Sequence, residues 1–170
     1  MSSSPGVLIY TDLRKKNGVL LKESLLVEEW LSRRYPNVAT LGRIRLGPTR
    51  ATVVGVELTP EHQAMLSVLN WYPDALILAP GEALIVEAKL EAKPRAIGEV
   101  LFYRHLLYAT PELQQFMPLN VTPAVLFAQD DPAIRAFAHS LGVQVEIYTP
   151  QWFPGYLETV QFRGRGTRQT

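Results

Sequence analysis

The sequence predicts an α/β protein, and two patterns indicate this class. Two apolar runs, Ala75–Ala79 and Ala83–Leu90, flank Pro80-Gly81. Proline presets the φ of a turn and glycine accepts positive φ, so these runs predict two strands joined by a tight hairpin. Residues 123–148 predict a strand, a helix and a second strand, and a helical connection of this kind implies a parallel pair. Antiparallel and parallel strands alternating with helices define the predicted class.

Composition indicates one globular domain, which we place at residues 1–162, followed by a flexible basic tail at 163–170. Hydrophobic residues make up 47% of the 170 residues and charged residues 19%. The absence of cysteine excludes disulfides, thiol catalysis and Cys-ligated zinc, and it fits a cytoplasmic location. No apolar run approaches the ~20 residues of a membrane span, so we expect no membrane partner.

The chain before the hairpin predicts a helix and then a strand. Lys22–Tyr35 has apolar residues at helical spacing, and Pro36 ends it. Val38–Leu46 predicts the first strand of the sheet, with Arg43 and Arg45 on one face. The segment 48–70 is expected to add a strand and a short helix, Thr52–Leu58 and Glu61–Leu69.

The chain after the hairpin begins with a predicted helix, Ala96–Ala109, which is apolar over more than half its surface and should pack on the sheet. Residues 111–118 form a connection. In the strand–helix–strand unit that follows, the helix Ile134–Leu141 is preceded by Asp131 as its N-cap and Pro132 at its first position. Residues 150–162 predict a final packed, aromatic-rich segment.

Charged residues interrupt the hairpin where apolar residues are expected. Because strand side chains alternate with period 2, Ile85, Glu87 and Lys89 share one face of the second strand. Asp74 lies where the first strand begins. Two carboxylates on partner strands can converge on one hard divalent cation such as Mg²⁺. Lys89 would lie beside that ion, where it could orient or deprotonate a water or stabilise charge on a phosphate.

This arrangement, Pro73-Asp74 followed after twelve residues by Glu87-Ala88-Lys89, resembles the signature of the PD-(D/E)xK nuclease superfamily. The resemblance implies a restriction-endonuclease-like core of a helix, three strands, a helix and a strand, here with an appended helix and strand. It also implies Mg²⁺, or Mn²⁺ in its place, held by Asp74, Glu87 and the Ala88 carbonyl, with Lys89 as a catalytic residue. The expected activity is hydrolysis of phosphodiester bonds, in DNA above all.

The resemblance extends to both predicted helices that precede and follow the strands. Many members of the superfamily carry an acidic residue on the first helix, and Glu28 is our candidate. Glu99 and Tyr103 resemble the Gln-x-x-x-Tyr element of the exonuclease-like, RecB-type branch, with Glu in place of Gln. Residues 1–50 hold nine Lys and Arg against four Asp and Glu, which suits a polyanionic partner. Basic side chains that could contact phosphate are Arg43, Arg45 and Arg104.

Simpler interpretations stay open at this stage. Asp after Pro is a common turn residue, and Glu-x-Lys is usually a solvated pair on a strand. The chain could be a catalytically inactive nuclease-fold protein that binds nucleic acid or serves a structural role. It could also be an unrelated α/β protein, in which case the three charged side chains would not converge. The sequence does not decide whether the substrate would be DNA or RNA, or duplex or single-stranded. It also does not decide whether cleavage would be by an endonuclease or an exonuclease. A homodimer or larger homo-oligomer is also compatible with it.

Overall fold

The protein has a central β-sheet flanked by helices. A computed structural model of the chain describes residues 22–47, 59, 71–114 and 120–165. The strands of this part are β1 (Ala39–Gly42), β2 (Ala75–Ala79), β3 (Glu82–Glu91), β4 (Val121–Gln129) and β5 (Gln144–Ile147). Its helices are α1 (Lys22–Arg34), α2 (Pro94–Tyr108), α3 (Pro111–Gln114), α4 (Pro132–Ser140) and α5 (Phe153–Arg165).

The five strands form one sheet in the order β1-β2-β3-β4-β5. The first three are antiparallel, and β4 and β5 run parallel to β3. Gly81, at φ +84°, makes the tight turn between β2 and β3. Asp131 caps α4 by accepting hydrogen bonds from the backbone N–H groups of Ala133 and Ile134. The predicted α/β class with a mixed sheet, its hairpin and its parallel pair are therefore confirmed.

Helices cover both faces of the sheet. On one face, Ala83 and Ile85 of β3 pack with apolar side chains of α2 and α4. On the other face, Leu84, Val86 and Ala88 of β3 pack with α1 and with the start of α5. A strand that is buried on both faces reads as a nearly continuous apolar run. The charged positions of β3 therefore stand out from their surroundings, and they follow Ile85 on the α2 face.

The first strand is shorter than predicted. Instead of spanning Val38–Leu46, β1 ends at Gly42, because Arg43 adopts a positive φ of 47° and turns the chain. Leu46 then forms an isolated antiparallel bridge with Trp71. The expectation that Arg43 and Arg45 share one strand face is therefore wrong, since neither lies in the strand.

The chain end is more helical than predicted. The aromatic-rich segment forms α5, which continues to Arg165 and so includes the first three residues assigned to the basic tail. Residues 166–170, and the strand and helix expected within 48–70, lie outside the described residues, apart from Thr59. None of the helices in the described ranges has the length and apolar character needed to cross a membrane.

Candidate functional site

Asp74 and Glu87 lie beside each other at the β2–β3 hairpin. The strand pairing begins with Ala75 opposite Val86, and Asp74 comes directly before Ala75. The Asp74 N–H donates to the Val86 carbonyl at 3.0 Å, one residue out of the register of the strands, which holds Asp74 beside the Val86–Ala88 part of β3. The Asp74 charge acts on the neighbouring Glu87 carboxyl and raises its pKa. The structure therefore brings together the two carboxylates that the sequence predicted as metal ligands.

The backbone of Ala88 is oriented toward the same place. Its N–H donates to Asp74 Oδ2 at 2.8 Å. In an extended strand the N–H and C=O of one residue point to the same neighbouring strand. The Ala88 carbonyl therefore points toward the β2 side, just beyond the pairing that begins at Ala75 and Val86. This orientation suits the predicted role of the carbonyl as a third oxygen ligand.

Lys89 lies between two acidic side chains. Its Nζ donates to Glu87 Oε1 and lies 3.5 Å from Glu99 Oε2 of α2, while its side chain stays 23% exposed. Burial alone would lower the pKa of Lys89, but the Glu87 hydrogen bond and the charges of Glu87, Glu23 and Asp74 raise it above its ordinary value. Lys89 is therefore an ammonium group at neutral pH and is partly open to solvent.

Helix α2 supplies the two residues that the sequence placed on one stripe. Arg95 Nε donates to Glu99 Oε1 at 2.7 Å. Burial acts to raise the pKa of Glu99, but the Arg95 hydrogen bond and the Lys89 charge outweigh it, so the pKa lies below its ordinary value. Tyr103 is buried beside the same charges, and burial together with Glu87 and Glu99 raises its pKa. Both residues lie beside the carboxylate pair, and their contact with substrate stays a prediction.

The carboxylate pair is poorly neutralised. Glu87 is only 4% exposed, and burial together with the neighbouring Asp74 raises its pKa to about 8 despite the Lys89 contact. Burial also raises the pKa of Asp74, although the Ala88 N–H and the charges of Lys89 and Arg43 act to lower it. Two neighbouring carboxyl groups in a buried place resist ionising together. A divalent cation is the kind of group that would relieve this repulsion.

The acidic residue that α1 brings to the cluster is Glu23. Its pKa is raised by burial, and its carboxyl interacts with the charges of Lys89, Asp74 and Lys93. Glu28 lies five residues further on, about 140° around the helix from Glu23. Glu29 is also engaged elsewhere, since Trp152 Nε1 donates to it at 2.8 Å. The structure thus brings Glu23, rather than the predicted Glu28, to this cluster, and a role for Glu28 stays a prediction.

The reason for the difference is the phase of α1. The predicted apolar face centred on Leu25, Leu26, Trp30 and Leu31. The structure instead buries Leu26, Val27 and Trp30 most deeply. Glu23 precedes Leu26 and Val27 by three and four positions, so it continues their stripe by one turn. Arg95 was also missed, although its spacing of four residues from Glu99 is a recognisable signal.

The three predicted arginines lie in different places. Arg43 is exposed, and its charge acts to lower the pKa of Asp74, so it lies near the carboxylate pair. Arg45 is used within the fold, because Nη1 donates to the Gly47 carbonyl at 2.9 Å and Nη2 lies 3.8 Å from Glu112. Arg104 is half-buried, one residue and about 100° around α2 from Tyr103. Arg43 is therefore the arginine best placed to meet a phosphate at this site.

The described part of the chain, residues 22–47, 59, 71–114 and 120–165, holds no group of three or more His, Cys, Asp or Glu side chains arranged around a possible metal ion. Proteins commonly bind Mg²⁺ through only one or two carboxylates, with substrate phosphate and water completing the shell. Asp74, Glu87 and the Ala88 carbonyl match that smaller set.

Comparisons with known proteins add little to this description. The chain matches no protein-family model and no curated protein. It is similar to a solved structure described as "Protein of Unknown Function AF1548", at 11% identity and a TM-score of 0.42. That likeness covers 76% of this chain and 59% of the other. A similarity this remote supports no statement about function.

Proposed function

We propose that the protein is a metal-dependent nuclease that hydrolyses phosphodiester bonds, most readily in DNA. The observation that carries the proposal is the position of Asp74 at the start of β2, beside Glu87 and Ala88 of β3, with Lys89 in contact with Glu87. A single ion in contact with both carboxylates needs oxygens that lie close together. Asp74 accepts a hydrogen bond from the backbone of Ala88, the residue after Glu87, and its charge raises the pKa of Glu87.

The residues fit a Mg²⁺ ion, with Mn²⁺ as a substitute. Asp74 and Glu87 would supply carboxylate oxygens, and the Ala88 carbonyl points to the same side of β3. Burial raises the pKa of both acids, and the Asp74 charge raises that of Glu87 further. The ion would contribute charge neutralisation at the phosphate and a lowered pKa of a bound water.

Lys89 would act on the substrate rather than on the ion. Its ammonium group is charged and partly exposed, so it can stabilise negative charge that develops on a phosphate or orient the attacking water. Glu99 would hold Lys89 in position, and Arg95 in turn orients Glu99. Arg43, exposed near Asp74, would contact a phosphate of the bound strand.

The order of elements supports the restriction-endonuclease-like core of this proposal. Helix α1 is followed by three antiparallel strands, by α2 and by the parallel strand β4, with α4 and β5 appended. Fold alone does not establish chemistry, so the side chains of the site carry the proposal. Buried carboxylates that lack full neutralisation are costly, and a protein that only bound nucleic acid would gain nothing from keeping them.

The experiment is a cleavage assay with supercoiled plasmid, linear duplex, single-stranded DNA and RNA in Mg²⁺, Mn²⁺ or EDTA. The wild-type protein should cleave DNA only with metal, and Asp74→Asn should abolish cleavage. Asp130→Asn is the matched control, because Asp130 lies on the turn before α4 and pairs with Arg135 at 3.2 Å. Cleavage in EDTA, or equal activity of Asp74→Asn and wild type, would overturn the proposal.

A protein that binds DNA with metal-independent affinity and cleaves none of these substrates would be the inactive nuclease-fold alternative. A protein that neither binds nor cleaves nucleic acid would be an unrelated α/β protein. Size-exclusion chromatography with light scattering would test the homodimer or larger homo-oligomer that the sequence left open.

A further inference from the structure

A cleft of about 150 Å³ lies next to the carboxylate cluster and shares Lys89 with it. Its polar wall is formed by Glu23 of α1, by Lys89 and Glu91 at the end of β3, and by Lys93, which precedes α2. The two lysines and two glutamates balance each other in charge. Lys93 stands at the exposed side of this wall, where it pairs with Glu91 at 3.3 Å.

The opposite wall of the cleft is apolar and comes from α5. It is formed by Phe153, Tyr156, Leu157 and Val160. Val160 is 45% exposed where it lines the cleft. The Tyr156 ring stacks on Phe153 at 6.3 Å between ring centroids, which holds it in place. An ordered aromatic surface of this kind is what unpaired bases stack on in proteins that bind single strands.

The size of the cleft limits its occupant. A cavity of about 150 Å³ admits a molecule the size of one benzene ring. A base pair held within a duplex is far larger and cannot enter. An uncharged ring would suit the apolar wall, and a polar edge of that ring would meet the charged wall.

We propose that this cleft takes one unpaired pyrimidine base next to the scissile phosphate, so that the substrate is single-stranded or locally unpaired. The inference rests on the proposed function, which puts the reacting phosphate beside Lys89. The base stacks on Tyr156, and Lys93 contacts the adjoining phosphate. Helix α5 follows the appended strand β5, so it adds substrate selection to the carboxylate site without taking part in the chemistry.

Binding in EDTA tests this separately from hydrolysis. The probe is a fluorescein-labelled oligodeoxynucleotide, used as a single strand and annealed to its complement, with anisotropy as the readout. The single strand should bind more tightly than the duplex. Tyr156→Ala should weaken single-strand binding about tenfold or more, since stacking on one aromatic side chain contributes that much. Tyr156→Phe, which keeps the ring, should retain most of the affinity.

Two further variants keep the test decisive. Val160→Trp fills the cleft from a partly exposed position, so it should weaken single-strand binding even if Tyr156→Ala fails to fold. Tyr108→Ala removes an exposed tyrosine at the end of α2, outside the cleft, and should leave binding unchanged. Equal affinity for the two probes, or binding unaffected by Val160→Trp, would overturn the inference.

The outcomes also separate the inference from the proposed function. If duplex and single strand are cleaved alike in a metal-dependent way and the cleft variants have no effect, the proposed nuclease function is supported and the base-binding subsite is overturned. Single-strand binding that depends on Tyr156, without metal-dependent cleavage of any substrate, would keep the subsite and overturn the nuclease.

Discussion

Replacing Glu87 with Gln should stabilise the metal-free protein at alkaline pH, because it removes a carboxyl group that the fold accommodates poorly as an anion. Glu87 is 4% exposed, and burial with the neighbouring Asp74 raises its pKa from 4.5 to about 8. Between these values the folded protein binds more protons than the unfolded chain. The stability of the wild-type protein therefore falls as pH rises through this interval and levels off above about pH 8.

The magnitude follows from the same interval. At about 1.4 kcal/mol per pH unit, the interval gives an upper limit of about 5 kcal/mol. Asp74 and Glu87 share their protons, which reduces the part that belongs to Glu87, so we expect Glu87→Gln to gain between about 1 and 5 kcal/mol at about pH 8.5. At about pH 5 the wild-type side chain is itself neutral, and the two proteins should differ little.

The assay is urea unfolding in EDTA at about pH 5 and about pH 8.5, followed by circular dichroism. Glu91→Gln is the matched control, because it removes the same charge from the exposed end of β3 and should change stability by less than about 0.5 kcal/mol. The reasoning is refuted if Glu87→Gln is no more stable than wild type at the higher pH. It is also refuted if wild-type stability rises between the two pH values.

Three further outcomes are expected. Lys89→Met should lower single-turnover cleavage by about 10²–10⁴-fold while Mn²⁺ binding by calorimetry stays intact; unchanged cleavage would remove Lys89 from the mechanism. The apparent affinity of the wild-type protein for Mn²⁺ should rise between about pH 6 and pH 8, because the ion displaces protons from Asp74 and Glu87; calorimetry showing a flat profile would contradict their role as ligands. Glu23→Gln should weaken Mn²⁺ binding more than Glu28→Gln, since Glu23 interacts with the charges of Lys89 and Asp74; the reverse order would favour Glu28.

The elements that the sequence predicted well are those with local signals. The hairpin was predictable because Pro80-Gly81 separates two apolar runs, and Gly81 does adopt a positive φ. The unit β4–α4–β5 was predictable from the Asp131 cap and from the length of the connection. The length of β1 was not predictable. Arg43 turns the chain with a positive φ, and an arginine gives no sign of this in the sequence because residues other than glycine seldom adopt it.

In the candidate site, too, some residues could be predicted from the sequence and others could not. The alternation of side chains along a strand places Glu87 and Lys89 on one face of β3. The hairpin brings Asp74, directly before β2, beside the same part of β3, so these three residues could be found from the sequence. Glu23 could not be found from the sequence, because the orientation of α1 depends on which of several adjacent apolar residues packs on the sheet. The contact of Lys89 with Glu99 likewise depends on how α2 packs against β3.

The position of a bound metal ion tests the central claim most directly. Crystals grown with Mn²⁺ should show an anomalous difference peak about 2.2 Å from a carboxylate oxygen of Asp74 and one of Glu87. The Ala88 carbonyl should be a third ligand, and Lys89 Nζ should lie outside the coordination shell. A peak bound by other residues, or carboxylates that stay metal-free at saturating Mn²⁺, would contradict the account.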